Sequence, residues 1–273
     1  MSQDEFNACR AFIYDRTGIY FQDNKKYLLE GRLGKRVQAL NLHNFTQYLN
    51  LLKNGAARDE MRWFYDTITI NETFFFRNEP QFNALEEKLI PEILSKKGNG
   101  RNKLRVWSSA SSSGEEAHTI GMIYLEKLKP KYPGLEIEIV GTDINASVVE
   151  TARSGVYREY SVRNMPKHYL TKYFTQSDGR YVVRDDVRRL VRFENMNLFD
   201  KQRMRAMSSF DIVFCCNVLI YFDTKSKIQV VSQLYDSLNR GGYLFVGYAE
   251  SLHGLSTAFE LVNFPKTVAY KKG

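Results

Sequence analysis

The pattern of apolar and polar positions changes character along the chain. Over roughly the first 70 residues it follows a helical period. In 25-KKYLLEGRLGKRVQAL-40, Leu29, Leu33, Val37 and Leu40 recur at spacings of three and four, while Arg32, Lys35 and Arg36 gather on another side. A second helix is predicted over 44-NFTQYLNLLKNG-55, with Asn44 as its cap and Gly55 as its stop. A third, around Arg58–Ile68, leads into 69-TINETFFFRNEPQF-82; a fourth, 80-PQFNALEEKLIPEIL-94, has proline in its first turn. The polar, glycine-bearing 95-SKKGNGRNK-103 reads as a linker.

Beyond it, short apolar runs alternate with helical stretches. Strands are predicted over 103-KLRVWSSA-110, 135-LEIEIVGTD-143, 191-VRFENMNL-198, 210-FDIVFCCNV-218 and 242-GYLFVGYAE-250, with helices over 115–128, 146–155 and 225–238 between them. Such interleaving implies an α/β fold, a mostly parallel sheet covered on both faces. The final 259-FELVNF-264 and 267-TVAYKK-272 read as an antiparallel hairpin at one edge, and 180-RYVVRDDVRRLVRF-193 as a small hairpin inside an irregular insertion. The expected organisation is a helical domain over 1–70, a connecting segment and helix over 71–102, and an α/β domain over 103–273 carrying a small β-subdomain near 157–192.

Bulk properties narrow this picture only a little. At 273 residues and 43% hydrophobic, the chain can bury a sizeable core. It has no apolar run of membrane-spanning length and no signal-like start, which points to a soluble cytoplasmic protein. Cys9, Cys215 and Cys216 cannot make a disulfide framework. A formal charge of +8 calls for an acidic partner without choosing among nucleic acid, anionic membrane and acidic protein.

The candidate chemistry sits at the first strand–loop–helix turn, 108-SSASSSGEE-116, where open α/β sheets bind ligands. Small residues let a ligand approach the backbone, and Gly114 relaxes the turn. Glu115 and Glu116 follow at the positive end of the helix, where they would repel a pyrophosphate. A dinucleotide is therefore disfavoured, and a nucleoside ligand carrying positive charge, such as S-adenosylmethionine, is favoured. Asp143 ends the second strand and can accept from ribose hydroxyls. Asn217 ends the fourth strand, with Tyr221 one helical turn later, and both are expected to face the cofactor.

The set 71-NETFFFRN-78, 112-SSGEEAHTIGM-122, 139-IVGTDI-144, 152-ARSGVYRE-159 and 210-FDIVFCCNVLIYFD-223 resembles the chemotaxis receptor methyltransferases (the CheR family) across nearly the whole chain. The resemblance implies a Rossmann-like class I methyltransferase domain and methyl transfer from S-adenosylmethionine to glutamate γ-carboxylates of methyl-accepting receptors. It puts Asn71, Thr73 and Arg77 around the cofactor and reacting centre, Glu116 and Asp143 among the cofactor contacts, Asn197 and Leu198 beside the adenine, and Cys215, Cys216 and Asn217 at the cofactor edge. Tyr221 matches the catalytic tyrosine. Arg32, Lys35 and Arg36 would meet an acidic receptor coiled coil.

The sequence departs from the family's habits in three places. Cys216 stands where arginine is common, Ser113 and Ala117-His118 stand where threonine and proline are common, and 174-FTQSDGRYVVR-184 is compact, so no tether to a receptor's C-terminal pentapeptide is expected. The chemistry fits the residues. A glutamate carboxylate is already ionised at neutral pH, so it needs orientation and partial desolvation more than a strong base. His43, His118, His168 and His253 are scattered, no metal cluster is evident, and a monomer is expected. Of Phe74, Phe75 and Phe76, at least two are expected to be buried at a domain hinge and one to wall off the cofactor. The competing readings are a nucleic-acid methyltransferase, disfavoured by the lack of a proline-containing clamp at Asn217–Tyr221, a catalytically silent binding module, and an NAD enzyme, which the paired glutamates oppose.

Overall fold

The structure is a computed structural model and describes residues 1–54, 58–97 and 103–273. Gly55 and most of the expected linker lie outside the described residues. Four helices open the chain: α1 (Gln3–Thr17), α2 (Lys26–Ala39), α3 (Phe45–Lys53) and α4 (Arg58–Ile68). Local chemistry sets their ends. Ser2 and Glu5 form a reciprocal capping box on α1, and the Asn44 side chain accepts from the Gln47 N–H at the start of α3. The apolar stripe read from α2 packs as expected, with Leu29 and Leu33 fully buried against Phe6, Ile13, Tyr48 and Phe64.

The connecting helix runs Glu79–Ala84 and Ile90–Lys97, with one wide turn, Leu85–Leu89, between them. Pro91 lacks the N–H that would close the ordinary turn there, and a second wide turn, Tyr124–Leu128, precedes Pro130 in the same way.

Ten strands follow: β1 (Lys103–Ser108), β2 (Glu136–Asp143), β3 (Val156–Tyr157), β4 (Phe174–Ser177), β5 (Arg180–Val183), β6 (Val191–Asn195), β7 (Phe210–Cys215), β8 (Leu238–Val246), β9 (Phe259–Phe264) and β10 (Thr267–Lys272). Seven of them form one sheet in the order β6-β2-β1-β7-β8-β10-β9. The first five pair in parallel, whereas β10 is antiparallel to both β8 and β9. The chain reverses direction across the sheet at β1, between β2 and β7, and there the carboxyl ends of three strands leave a crevice.

The small subdomain is the antiparallel sheet β3-β5-β4. Its hairpin is 174–183, not 180–193 as the sequence suggested. The polar turn at Asp178-Gly179 reverses the chain, both residues having positive φ, and Val191–Asn195 instead extends the large sheet. Phe75 locks the connecting segment to this subdomain. It is fully buried and stands edge-on to Tyr157 at 4.9 Å and to Phe174 at 5.1 Å. Truncating such a ring typically costs about 3–5 kcal/mol.

The turn after β1 is fixed by neighbours. Ser109 N–H donates to Phe214 O at 2.8 Å and Ser111 N–H to Thr142 O at 2.8 Å, so the loop hangs from both flanking strands. Gly114 has φ +92°, and a Cβ there would lie 2.7 Å from the Ala152 Cβ and 2.8 Å from the Phe193 ring. Both the backbone angle and the packing therefore demand glycine.

The candidate active site

A cavity of about 650 Å³ opens at the crevice, between the helical domain and the carboxyl ends of the parallel strands. That size suits a nucleoside-sized ligand. Asn71, Thr73, Arg77, Glu116, Asp143, Asn197, Leu198, Cys216, Asn217 and Tyr221 all border it. They come from five separated segments, and the sheet brings them together.

Glu116 lies in the first turn after the loop, its Oε1 accepting from Ser108 Oγ at 2.7 Å. Burial in the cavity wall pushes its carboxyl up to about 7, with the Ser108 and Cys216 side chains and the charge of Arg77 pulling the other way. Asp143 ends β2. Its Oδ2 accepts from Ser112 N–H and its Oδ1 from Asn145 N–H, each at 2.9 Å, yet burial still pushes it up to about 6. Two desolvated carboxylates facing one cavity favour a cation or a set of donors.

Glu115 does not share this role, contrary to the paired-glutamate argument. It is buried on the other side of the helix, accepting from Ser113 Oγ at 2.7 Å and Ser161 Oγ at 2.9 Å, and burial raises its carboxyl. Successive helical residues point about 100° apart, so one glutamate meets the cavity and its neighbour meets the subdomain. The objection to a phosphate rests on Glu116 alone.

Cys215 is likewise displaced from its expected place at the cofactor. It is fully buried among Val213, Leu219 and Val246 and does not border the cavity. The strand alternates its side chains, so only Cys216 reaches the cavity wall. The Cys216 thiol donates to Gln81 Oε1 at 3.3 Å and sits beside Glu116; burial holds it far above the ordinary thiol range, which makes it an inert donor.

The segment 71–78 lines the cavity beside the loop, with Asn71 O accepting from Ser112 Oγ at 3.2 Å. Arg77 Nη1 donates to the Glu72 carbonyl at 2.5 Å, its one hydrogen-bond partner among the described residues, so most of its guanidinium donors are uncommitted. Its Cζ lies 5.8 Å from the Phe74 ring centre. Phe74 borders the cavity, as expected of one ring, but of the three only Phe75 is buried; Phe76 is half-buried and packs on Tyr169 at 4.7 Å. Tyr221 lies in the short turn Leu219–Tyr221; burial raises its phenol, so it is a neutral hydroxyl donor at pH 7. Asn197 borders the cavity, but its side chain is spent on structure, donating to Arg16 O at 2.7 Å and accepting from Phe199 N–H at 2.9 Å. Met196, Leu198 and Ile144 give the same end of the cavity an apolar wall.

The basic residues of α2 separate into three situations. Arg32 borders the cavity, with Nη1 donating to Ile68 O at 2.8 Å. Lys35 is exposed and lies off the cavity. Arg36 is not free for docking: its Nε donates to both Glu60 oxygens at 2.7 and 2.9 Å, while Tyr48 closes on the same carboxylate at 2.8 Å and the guanidinium lies 4.7 Å from the Trp63 ring. His118 is buried at the back of the loop, 3.1 Å from Ala152 O, and burial pushes it down to about 4. The other three histidines are exposed, and none of the four borders the cavity. No metal-binding cluster is present among the described residues.

Sequence reasoning missed the share of the site that α1 and its exit supply. Tyr20 N–H donates to Tyr221 O at 2.9 Å, Ile19 bridges Phe222, and Tyr14 donates to Asp223 Oδ2 at 3.0 Å. From α4 Asp66 accepts from Ser147, and just past its end Thr69 Oγ1 accepts from Asn145 Nδ2 at 2.9 Å. These pairs span about 80 to 200 positions, and no local pattern announces them.

Comparison with known proteins places the chain. The all-alpha domain of the CheR methyltransferases matches residues 4–69, and the SAM-binding domain of the same family matches residues 71–268. A chemotaxis protein methyltransferase of Vibrio parahaemolyticus is 38% identical over 99% of this chain and 98% of its own length. Chemotaxis protein methyltransferase 2 of Vibrio cholerae is 34% identical, covering 100% of this chain and 94% of the relative. A chemotaxis protein methyltransferase of Borreliella burgdorferi is 33% identical over 93% and 90% respectively. With both domains matched in order and the relatives covered almost end to end, the chain belongs to the CheR family of S-adenosylmethionine-dependent methyltransferases.

Proposed function

We propose that the protein methylates glutamate γ-carboxylates on the coiled coil of methyl-accepting chemotaxis receptors, giving methyl esters and S-adenosylhomocysteine, and that it works as a monomer at the cytoplasmic side of the receptors. The observation that carries this reading is the convergence of Glu116, Asp143, Arg77 and Tyr221 on one cavity. When bound, S-adenosylmethionine supplies an electrophilic methyl group on a sulfonium. Asp143 is suited to the ribose hydroxyls, Glu116 to the positive end of the ligand, and Met196 and Leu198 to the adenine face. Asn71, Thr73 and Asn217 line the remaining contact surface. The uncommitted donors of Arg77 and the Tyr221 hydroxyl are suited to hold an incoming carboxylate in line. That carboxylate arrives ionised, so no residue has to remove a proton from it. Phe74 and Phe222 keep water from the reacting atoms.

The reading is tested by transfer of tritiated methyl into membranes bearing methyl-accepting receptors, with methanol released by base as the readout. Base-labile label that vanishes in Asp143→Ala and falls steeply in Arg77→Ala supports it. Label absent from every receptor, with cofactor binding intact by calorimetry, sinks the substrate assignment. Label transferred instead to RNA or DNA selects the nucleic-acid reading.

The three fates of the α2 cations separate docking from folding. Lys35→Glu is expected to raise KM for receptor about two- to fivefold at low salt, an effect that fades towards 0.5 M salt as screening shortens to about 4 Å. Arg36→Ala should instead lower Tm, because it strands the buried Glu60, at a cost of about 3–5 kcal/mol. A salt-dependent KM change in Arg36→Ala without loss of Tm would reverse the two assignments.

A further inference from the structure

Glu250, the last residue of the strand expected over 242–250, lies four positions beyond the end of β8 at Val246, and its carboxylate is surrounded by backbone donors. Oε2 accepts from Asn217 N–H at 2.8 Å and from Gly247 N–H at 2.7 Å, and Oε1 accepts from Ile220 N–H at 3.1 Å. No Lys or Arg pairs with it among the described residues. It does not border the cavity. Asn217 lies two residues past the end of β7, and Ile220 immediately precedes Tyr221.

That turn needs holding. Asn217 has φ +61°, a left-handed conformation that persists in a non-glycine residue only when its surroundings over-determine it. Gly247 shows how tightly the parts meet. A Cβ there would lie 2.8 Å from the Asn217 N, the Asn217 Nδ2 and the Glu250 Oε2, so only glycine lets the end of β8 come this close. On the far side the turn is gripped by Tyr20 N–H on the Tyr221 carbonyl.

We infer that Glu250 is a positioning residue for methyl transfer: its carboxylate, bound to three backbone N–H groups, fixes the turn that carries Tyr221 to the cavity. The inference rests on the reading of Tyr221 as the hydroxyl that orients the accepting carboxylate. The amide of Glu250→Gln keeps one acceptor oxygen but turns an NH₂ donor towards N–H groups, so at least one of the three bonds is lost. Glu250→Asp keeps the charge but retracts it by one methylene.

A double-mutant cycle with Tyr221→Phe tests the idea. Tyr221→Phe alone tests the underlying reading: full activity in that variant overturns the role of Tyr221 and, with it, this inference. Given a loss there, Glu250→Gln is expected to lower kcat about tenfold in the parent, with calorimetric cofactor affinity held within about threefold, and by less than about threefold further in the Tyr221→Phe background. Glu250→Asp should recover part of the loss. An equal tenfold loss in both backgrounds, no loss in the parent, or a matching collapse of cofactor affinity overturns the positioning role while leaving the Tyr221 reading standing. Should Glu250→Gln not fold, Gly247→Ala, whose Cβ would wedge Asn217 and the Glu250 carboxylate apart while leaving both residues in place, is put through the same cycle with the same outcomes.

Discussion

Arg77→Ala lowers kcat for methyl transfer by about 100-fold, the loss that misplacement of a reacting group by about 1 Å can produce. Calorimetric affinity for the cofactor is expected to stay within about threefold, because Glu116 and Asp143, the carboxylates suited to the cofactor, are untouched and most of the arginine's donors remain for the accepting carboxylate. Arg77→Lys should fall between the two, since an ammonium keeps the charge but loses the planar fork. Single-turnover rates with saturating receptor check this directly. A fall in cofactor affinity that tracks the fall in rate would move Arg77 from the reacting carboxylate to the cofactor, a reassignment the two measurements together decide.

Cofactor affinity should rise steeply with pH on the acid side. Burial places Glu116 at about 7 and Asp143 at about 6, against ordinary values of 4.5 and 3.8. A cationic ligand binds the ionised forms, so protons leave as it enters. Between pH 5.5 and 7.5 the ionised fraction grows about 25-fold for Glu116 and about fourfold for Asp143, which gives about a hundredfold in affinity. The window stops there because the ligand's own α-amino group titrates near pH 8. Stability of the cofactor-free protein runs the other way. A carboxyl whose folded value is raised contributes stability that is complete below its ordinary value and is lost as pH rises through the folded one, here through about 6 to 7. Calorimetry in buffers of different ionisation enthalpy reads the protons released, and Glu116→Gln should remove most of the slope. A flat affinity across this window would mean that both carboxylates are already ionised.

Much of this was legible along the chain. The period of the apolar positions located α2 and α3, and alternation of apolar runs with helices forecast a parallel sheet, because burial of one face demands those repeats whatever the neighbours. Asn44 acts as a cap since its side chain reaches an N–H three residues on, a contact complete within one turn. The loop 108–116, Asp143 and Asn217 were likewise readable from strand ends followed by turns. The errors have physical causes of the same scale. Glu115 and Glu116 looked equivalent in sequence, but the angle of one helical step sent them to different environments. Cys215 and Cys216 were separated by the pleat, and Arg36 was claimed by Glu60, 24 positions away, which no local pattern reveals.

The sequence by itself determined most of the helices and the strands of the large sheet, though not the small hairpin, as well as where the ligand loop would lie and which residue types could serve a cationic nucleoside, because each depends on contacts within a turn or two. Only the tertiary structure decided which carboxylates face the cavity, that Ile19 and Tyr20 clasp the turn carrying Tyr221, and that Glu250 holds that turn from the other side. Burial and hydrogen bonding between distant segments set those outcomes, and neither exists until the sheet and the helical domain have closed on one another.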